Sequence, residues 1–345
     1  MIEKITIENF KSIKHVELDC GRINVFIGEP NSGKSNILEA IVGLLSAIGF
    51  GGQLENFIRY ERLSNLFYDE IIDKTISALI NDNLKIDIEI RNDILEINFF
   101  YKEYKGFYIN ILAYSYRKGT GRKKEEWYWQ KHYSLNEYSE KIQQFLRNFK
   151  FYRFTHKKEF PDKSAEFLLP PHGDNLVSIL AHNKELRKLA NNVVSKFGFK
   201  LVVKPRENKL EIQRELEEGV IVSFPYTILS DTLQRIIFYS AAVCTNKNSI
   251  IAMEEPEAHA FPYYTKYLAE LIAQDKNDNQ YFITTHNPYF LLSLLEKTPK
   301  DEIAVFITYY RDYQTKVKRL SDKEIQEVVN LDVDVFFNLD RFLEG

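Results

Sequence analysis

A glycine-rich segment near the amino terminus carries residue types that bind phosphate. Residues 28–35 fit the pattern G-x-x-x-x-G-K-[ST], and an ordinary turn at a helix start is the alternative interpretation. Gly28 and Gly33 let the backbone bend so that its N–H groups point at phosphate oxygens. Lys34 supplies a mobile charge for the β- and γ-phosphates, and the hydroxyl of Ser35 can ligate magnesium, so we predict a site for ATP and Mg²⁺. The predicted nucleotide-binding residues of this segment are Gly28, Asn31, Ser32, Gly33, Lys34, Ser35 and Asn36.

Two adjacent carboxylates follow a second apolar run, residues 249–253. Acidic side chains at the end of a buried strand lie where ligands bind in open α/β sheets. We predict that Glu254 holds magnesium, directly or through water, and that Glu255 polarises the attacking water as a general base. A solvated acidic turn is the alternative, and the phosphate-binding pattern earlier in the chain favours the catalytic interpretation.

A histidine follows a third apolar run, residues 281–285. A histidine at this place can reach the γ-phosphate and the catalytic water, so His286 is the second predicted catalytic residue. The alternative is a capping or core histidine, which is the more common use of an isolated histidine. The order strand, acid pair, helix, strand, histidine favours the functional interpretation here.

Short apolar runs predict the buried strands that position these residues. The run 23–27 ends at the glycine segment, just as 249–253 ends at the acid pair and 281–285 at the histidine. Such runs are typical of parallel strands covered on both faces. Leucine and isoleucine then recur at helical spacing after Lys34, and the glycines at 49–52 end that helix. The alternation of strand and helix predicts an α/β fold with a mostly parallel sheet.

Together these motifs resemble the ABC-type ATPases, and in particular their RecF, SMC and OLD group. The opening run 7–12 is similar to that group's strand ending in Asn-Phe and a basic residue. The run 254–262 resembles the OLD-type Walker B and D-loop, Thr285-His286 resembles the switch histidine, and residues 173–176 also match the group. The resemblance implies an ABC-type P-loop ATPase head with an antiparallel N-terminal β-layer. Only about 50 residues follow position 295, so no Toprim nuclease domain is expected.

The resemblance also implies a signature segment, for which residues 229–235 stand at the right place. In the group, the serine and the helix N-terminus of this segment bind the γ-phosphate held by a second subunit. Ser230 would take that role, so that ATP is sandwiched in a head-to-tail homodimer. Thr232 stands where the group usually has glycine, and Phe261 where histidine is common. Gln53 is the candidate for the Q-loop.

The domain division follows from where the motifs lie. We predict a discontinuous ATPase head from residues 1–75 and 165–345. Residues 76–164 are predicted to form an inserted β-rich and helical lobe, because residues 84–133 alternate apolar and polar side chains in short runs typical of a small antiparallel sheet. This lobe is a candidate surface for DNA or for a partner protein.

A basic loop in the middle of the chain is the candidate nucleic-acid contact. Residues 117–124 contain five Lys or Arg side chains and lie between tyrosine- and tryptophan-rich runs. Lys and Arg supply sequence-independent affinity for phosphates, and aromatic rings can stack on bases. Four further basic residues follow: Lys150, Arg153, Lys157 and Lys158. A solvated hairpin tip over a tyrosine-rich sheet is the alternative, and it is slightly favoured because Glu125 and Glu126 reduce the positive charge.

Composition excludes several other classes of protein. Lys+Arg 46 against Asp+Glu 49 gives a net charge of -3, so no whole-protein attraction to nucleic acid or anionic membrane is expected. The two cysteines, Cys20 and Cys244, have no metal-ligand spacing, which favours a reducing compartment. No signal-peptide pattern or membrane-length apolar stretch is present, so we expect a cytoplasmic protein without a membrane partner.

Two functions follow from these features. The first is an ATPase whose ATP-dependent dimerisation acts on DNA, in repair or anti-phage defence. The alternative is a regulatory ATPase subunit that controls a separate nuclease or toxin effector. A transporter's nucleotide-binding subunit is a third interpretation, against which the acidic run at 254–257 argues.

Overall fold

Alternating buried side chains at the amino terminus, among them Ile5 and Ile7, begin an antiparallel sheet. The structure is a computed structural model and describes residues 1–51, 53–91, 94–101, 107–115, 128–130 and 144–343. Its strands are β1 (Lys4–Phe10), β2 (Ile13–Asp19), β3 (Ile23–Ile27), β4 (Ile76–Ile80), β5 (Leu84–Arg91), β6 (Ile94–Tyr101), β7 (Phe107–Ser115), β8 (Tyr128–Gln130), β9 (Phe149–Tyr152), β10 (Lys200–Lys204), β11 (Lys209–Glu217), β12 (Val220–Pro225), β13 (Ile250–Glu254), β14 (Gln280–Thr284), β15 (Ile303–Arg311) and β16 (Gln314–Arg319). Its helices are α1 (Lys34–Leu38), α2 (Leu44–Phe50), α3 (Leu176–His182), α4 (Lys184–Ser195), α5 (Asp231–Thr245), α6 (Pro262–Ala273), α7 (Pro288–Lys297) and α8 (Asp322–Leu331).

The antiparallel sheet has the strand order β2-β1-β4-β5-β6-β7-β8. On β1, Ile7 lies opposite Val16 of β2 and opposite Ala78 of β4. The strands predicted as a small separate sheet therefore extend the amino-terminal β-layer. The predicted division of the chain at residues 76 and 164 stays a prediction. The hydrogen-bonded strands β1 and β4 lie on opposite sides of its first boundary.

The second sheet has the order β16-β15-β3-β14-β13-β9 and is parallel except for β16. β3 lies inside it, between β14 and β15, and every residue of β3 is buried. This position explains the continuous apolar run that predicted a doubly covered strand. The predicted α/β fold with a mostly parallel sheet and an antiparallel amino-terminal layer is confirmed.

Each face of the parallel sheet contacts its own core. Val25 packs with α3 to α7 on one face, while Phe26 packs with α1, α2 and the antiparallel sheet on the other. Phe26 stacks on Phe306 of the neighbouring strand, with ring centroids 4.9 Å apart. Because all parallel strands end at the same edge, their carboxyl ends gather the residues that the sequence analysis selected.

The helices differ from prediction in one place. The apolar spacing of residues 175–195 predicts one helix, but the structure has two, because Asn183 is extended and its side chain accepts a hydrogen bond from the Leu186 amide to start α4. Ser230 and Asp231 are residue types favoured at helix N-caps, which predicts a helix start here, and α5 begins at Asp231 as expected. Helix α1 continues into α2 through a π-helical stretch, Glu39–Gly43. Among the described residues, no helix is long and apolar enough to cross a bilayer.

Candidate nucleotide site

The glycine segment connects β3 to α1 and lies against the β15–β16 hairpin. Gly28 and Gly33 have φ values of 148° and 98°, which non-glycine residues rarely adopt. A Cβ on Gly28 would lie 2.1 Å from the Thr308 carbonyl oxygen, and one on Gly33 would lie 2.0 Å from Oγ1 of Thr315. Both glycines are therefore required by close packing as well as by backbone conformation.

Side chains around the segment hold its shape. The hydroxyls of Ser32 and Thr308 are 2.9 Å apart, and Thr308 donates a 3.0 Å hydrogen bond to the carbonyl of Ile27. Asn36 donates to the hydroxyl of Ser12 at 2.7 Å. Two of the predicted nucleotide-binding residues, Ser32 and Asn36, thus use their side chains inside the protein, and the Ser32 amide donates to the Glu29 carbonyl at 3.3 Å.

The start of α1 presents uncapped amides. Gly33 stands at the N-cap without a side-chain capping bond, and Asn31, which is exposed, has φ of 62°. Within the described part of the chain, the N–H groups of Lys34, Ser35 and Asn36 have no hydrogen-bond acceptor. The loop has no room for Cβ atoms at its glycines, and it ends in N–H groups that lack an acceptor in the described structure. Such a loop can bind the phosphates of a nucleotide.

Lys34 is folded back onto this loop. Its Nζ donates to the carbonyls of Gly28 at 2.9 Å and of Glu29 at 2.7 Å, and the residue is 5% exposed. Burial lowers the pKa of Lys34 to about 8, although the charges of Glu255 and Glu29 oppose this effect. The ammonium group is therefore held by neutral carbonyl oxygens, which a phosphate can replace.

Glu254 ends β13, and the Ser35 hydroxyl faces its carboxylate. Burial would raise the pKa of Glu254, but the charges of Arg153 and Arg59, together with Ser35, hold it below its usual value. The two predicted magnesium ligands therefore meet, with the carboxylate ionised at neutral pH. The described residues contain no cluster of three or more His, Cys, Asp or Glu side chains that would hold a metal by itself.

A charged cluster behind Glu254 escaped the sequence analysis. Arg59 and Arg153 bind the two carboxylate oxygens of Glu254 at 2.9 and 3.0 Å. The same two arginines contact Glu39, which is fully buried and also paired with Lys11. The only available signal was Glu39 itself, a carboxylate within an apolar helix, because its partners come from distant segments that no spacing relates.

The positions of Arg153 and its neighbours correct part of the predicted nucleic-acid face. Arg153 is engaged by Glu254, Lys157 pairs with Asp174, and Lys150 is only 5% exposed. Lys158 alone among these four basic residues is exposed without an ion pair in the described structure. The basic loop at 117–124 lies outside the described residues.

The run at 173–176 belongs to a loop that contacts the backbone of Arg153. Buried Asn175 accepts a hydrogen bond from the Leu169 amide and donates to the Phe167 carbonyl, which fixes this loop. The loop in turn places Nδ1 of His172 2.7 Å from the carbonyl oxygen of Arg153.

Glu255 and His286 are adjacent at the carboxyl edge of the parallel sheet. Glu255 has φ of 42°, and its amide donates to the Thr284 carbonyl at 3.1 Å, so the last residue of β14 positions it. His286 Nε2 lies 3.4 Å from Oε1 of Glu255. Burial and the nearby Lys34 ammonium lower the pKa of His286, while Glu255 raises it, so the imidazole is neutral at pH 7.

A second buried carboxyl, Glu257, lies beneath this pair. One of its oxygens is hydrogen-bonded to the Thr285 hydroxyl, and the other has no hydrogen-bond partner among the residues that the structure describes. Burial raises the pKa of Glu257 to about 7, despite the opposing effect of the Thr285 bond. Because Thr285 directly precedes His286, this contact ties the acidic loop to the histidine.

The signature segment has a separate, exposed position. Ser230 is the N-cap of α5, and among the described residues its hydroxyl has no hydrogen-bond partner. Thr232 donates a 2.7 Å hydrogen bond to the His259 carbonyl, which connects this segment to the loop after β13. Phe261 in that loop is 69% exposed. The predicted site residues thus form one group around Lys34, with Ser230 facing solvent; Gln53 is exposed as well.

Residues 23–293 match the family model described as "AAA domain, putative AbiEii toxin, Type IV TA system". The chain is also 48% identical over 48 residues to an uncharacterized protein of Methanocaldococcus jannaschii, MJECL10. That stretch is 14% of this chain and 22% of the relative, so the chain spans about a fifth of the length of this curated relative.

The fold is similar to solved SMC head domains. An SmcHead bound to the C-winged helix domain of ScpA gives a TM-score of 0.53 at 16% identity, covering 94% of this chain and 99% of that one. An Smc head domain with an extended coiled coil, bound to the C-terminal domain of ScpA and derived from Pyrococcus furiosus, gives 0.50 at 14% identity, covering 95% and 98%. At these identities the likeness concerns the fold alone, and it agrees with the predicted ABC-type head.

Proposed function

The chain belongs to the AAA-domain family that residues 23–293 match, and on that premise we propose that it binds ATP with Mg²⁺ and hydrolyses it. One observation carries the proposal: Lys34, Glu255 and His286, from three separate segments, meet at one edge of the sheet. A structural lysine, acid and histidine would have no reason to converge beside a loop with orphan amides.

In this proposal the loop binds the phosphates. The uncapped amides of Lys34, Ser35 and Asn36 donate hydrogen bonds to the phosphate oxygens, and the Lys34 ammonium exchanges its two backbone carbonyls for the β- and γ-phosphates. Ser35 and Glu254 hold magnesium, which when bound neutralises phosphate charge. Arg59 and Arg153 keep the Glu254 carboxylate ionised and oriented for that role.

Hydrolysis follows from the next two residues along the sheet edge. Glu255 orients the attacking water and takes its proton. His286, neutral and 3.4 Å from Glu255, donates its Nε2 hydrogen bond either to that carboxylate or to the γ-phosphate. The hydrogen-bond acceptor of His286 therefore depends on whether the γ-phosphate is present.

We further propose that the complete site needs a second copy of the chain. Ser230, at the start of α5, is exposed, and its hydroxyl has no hydrogen-bond partner among the described residues, as a group that binds the partner's γ-phosphate must be. Phe261 and Tyr263, 69% and 55% exposed, lie at the start of α6 and supply apolar area for the contact. The Thr232 bond to His259 lets a threonine stand at this place by turning its hydroxyl away from the dimer partner.

The biological target is proposed in two forms. In the first, ATP-dependent dimerisation acts on DNA in repair or anti-phage defence, and the basic loop at 117–124 supplies the phosphate contacts. In the second, the ATPase controls a separate effector. The family description, which refers to a toxin of a type IV toxin–antitoxin system, favours this second form.

The central test is ATP hydrolysis by the purified chain and by Lys34→Ala, since that change removes the only side-chain cation of the phosphate loop. We expect the variant to lose nucleotide binding and turnover. Binding and turnover equal to those of the wild type would exclude the proposal.

Duplex and single-stranded DNA, added to the hydrolysis assay across a salt series, distinguish the DNA target from the protein effector. Salt-sensitive stimulation supports the DNA target, whereas no effect of DNA supports a protein effector.

A further inference from the structure

A cavity of about 810 Å³ lies at the other end of the parallel sheet from the candidate nucleotide site. It opens beside the first residues of β9 and the turn that precedes β13. Glu254 ends β13, so roughly 13 Å of strand separates the cavity from the predicted magnesium ligand, at 3.3 Å per residue. None of the residues assigned to ATP lines this cavity.

Basic side chains dominate the lining. Arg147, Lys150 and Lys247 face the cavity, against one carboxylate, Glu166. In the part of the chain that the structure describes, none of these three cations forms an ion pair. Amide side chains of Gln144 and Asn148 complete the polar lining.

Lys150 is the unusual member of this group. The residue is only 5% exposed, and within the described part of the chain its Nζ has one hydrogen-bond acceptor, the Ser249 hydroxyl at 3.0 Å. The ammonium also lies 3.8 Å from the centre of the Phe167 ring. Burial lowers the pKa of Lys150 to about 8, although Glu166 raises it. A buried cation without a carboxylate partner is costly, and an anion in the cavity would remove that cost.

We propose that this cavity binds a phosphate-bearing small molecule, with Lys150 at its base and Arg147 and Lys247 at its rim. Phosphate oxygens suit the forked guanidinium of Arg147 and the remaining N–H donors of Lys150. The volume exceeds that of a phosphate ion and lies in the range of small-molecule sites. Free phosphate and a phosphate ester share this recognition chemistry.

The test measures binding of inorganic phosphate and of AMP to the full chain by equilibrium dialysis, at constant ionic strength. A Lys34→Ala background removes binding by the glycine loop, so the result does not depend on the ATP proposal. We expect one saturable site per chain. Adding Arg147→Ala should weaken binding about tenfold, as the loss of one charge-assisted contact implies.

Matched variants make the outcome decisive. Lys150→Met should weaken binding at least as much as Arg147→Ala, while Lys276→Ala, which removes an exposed lysine elsewhere, should leave it unchanged. Arg147 is exposed, so its variant stays folded even if Lys150→Met does not. Tighter binding of AMP than of phosphate identifies an ester ligand, and equal affinity identifies the phosphate group alone. Binding unaffected by Arg147→Ala would overturn the proposal.

Discussion

At the scale of single residues, the edge of the parallel sheet contains an ammonium group and a carboxylate whose charged forms are stabilised by different partners. Lys34 is buried and held by two carbonyls, whereas Glu254 is partly buried and held by two arginines. Burial disfavours both charged forms, so each depends on its specific partners. The pKa of Lys34 is lowered by burial, and that of Glu254 is lowered by its arginines, so the site combines an ionised carboxylate with an amine of reduced basicity.

Glu255→Gln separates binding from hydrolysis. We expect ATP binding to persist and turnover to fall by about 10² to 10⁴, the usual contribution of a general base. An ATP-bound dimer should then accumulate, which light scattering measures with and without ATP. Glu29→Gln, which changes an exposed acid of the same loop, is the control and should keep turnover. A fully active Glu255→Gln variant would remove the proposed base.

Glu257 gives a prediction about pH. Its pKa is about 7 when folded, above the ordinary 4.5, so the native state binds more protons than the unfolded chain between these values. Stability from this group is therefore complete below pH 4.5 and is lost as the pH rises through 7. Relative to Glu257→Gln, wild type should lose up to about 3 kcal/mol of unfolding free energy between pH 4.5 and pH 8, at 1.36 kcal/mol per pKa unit.

Urea unfolding at pH 4.5 and pH 8 measures this difference. The matched control is Glu218→Gln, because Glu218 is exposed. If wild type and Glu257→Gln showed the same dependence on pH, the buried carboxyl would not titrate as its surroundings imply.

At the scale of elements, the β15–β16 hairpin shapes the glycine loop. Thr308 and Thr315, one on each strand, occupy the space that Cβ atoms on Gly28 and Gly33 would need. Thr315 is also tied to the β1–β2 turn, since its hydroxyl lies 2.7 Å from that of Ser12. The loop is therefore clamped between segments from both ends of the chain.

Gly33→Ala tests this clamp. Two costs combine: φ of 98° is strained for alanine, and the new Cβ would lie 2.0 Å from Oγ1 of Thr315. We expect a loss of more than about 2 kcal/mol in unfolding free energy, together with loss of ATP binding. Gly219→Ala is the control, because Gly219 has φ of 80° but open space around it. It should show the backbone strain alone, about 1 kcal/mol, and an equal loss in both variants would argue against the clamp.

At the scale of the whole molecule, the group around Lys34 and the exposed Ser230 are the two halves of the proposed composite site. A head-to-tail pair of chains would join one phosphate loop to the other chain's signature segment, twice by symmetry. The exposed aromatic residues near the start of α6 lie on the same loop-and-helix region as the Thr232 contact.

Mixing two inactive variants tests this arrangement. Lys34→Ala and Ser230→Arg should each abolish hydrolysis alone. In a mixed dimer, one site carries both changes and the other carries none, so an equimolar mixture should recover about a quarter of wild-type activity under random pairing. Lys34→Ala mixed with the Lys34→Ala/Ser230→Arg double variant has no intact site and should stay inactive. Failure of the first mixture to recover activity would argue against a shared site.

The sequence determined the local chemistry of this protein. Residue type and spacing were enough to predict the glycine loop, the acid pair and the histidine, because each follows a buried strand whose apolar run is visible by itself. The mostly parallel sheet and the start of α5 followed from the same patterns. The break at Asn183 was missed, because an N-cap inside a helical pattern leaves the apolar spacing intact.

Only the tertiary structure decided which distant residues meet. Arg59 and Arg153 bridge Glu254 and Glu39 from segments that are distant in the chain, and local pattern does not encode such contacts. The same holds for Lys150, a basic residue that reads as a nucleic-acid contact in sequence but points into a cavity in the fold. Strand periodicity gives the direction of a side chain relative to its own strand, whereas its partners are set by packing across the sheets.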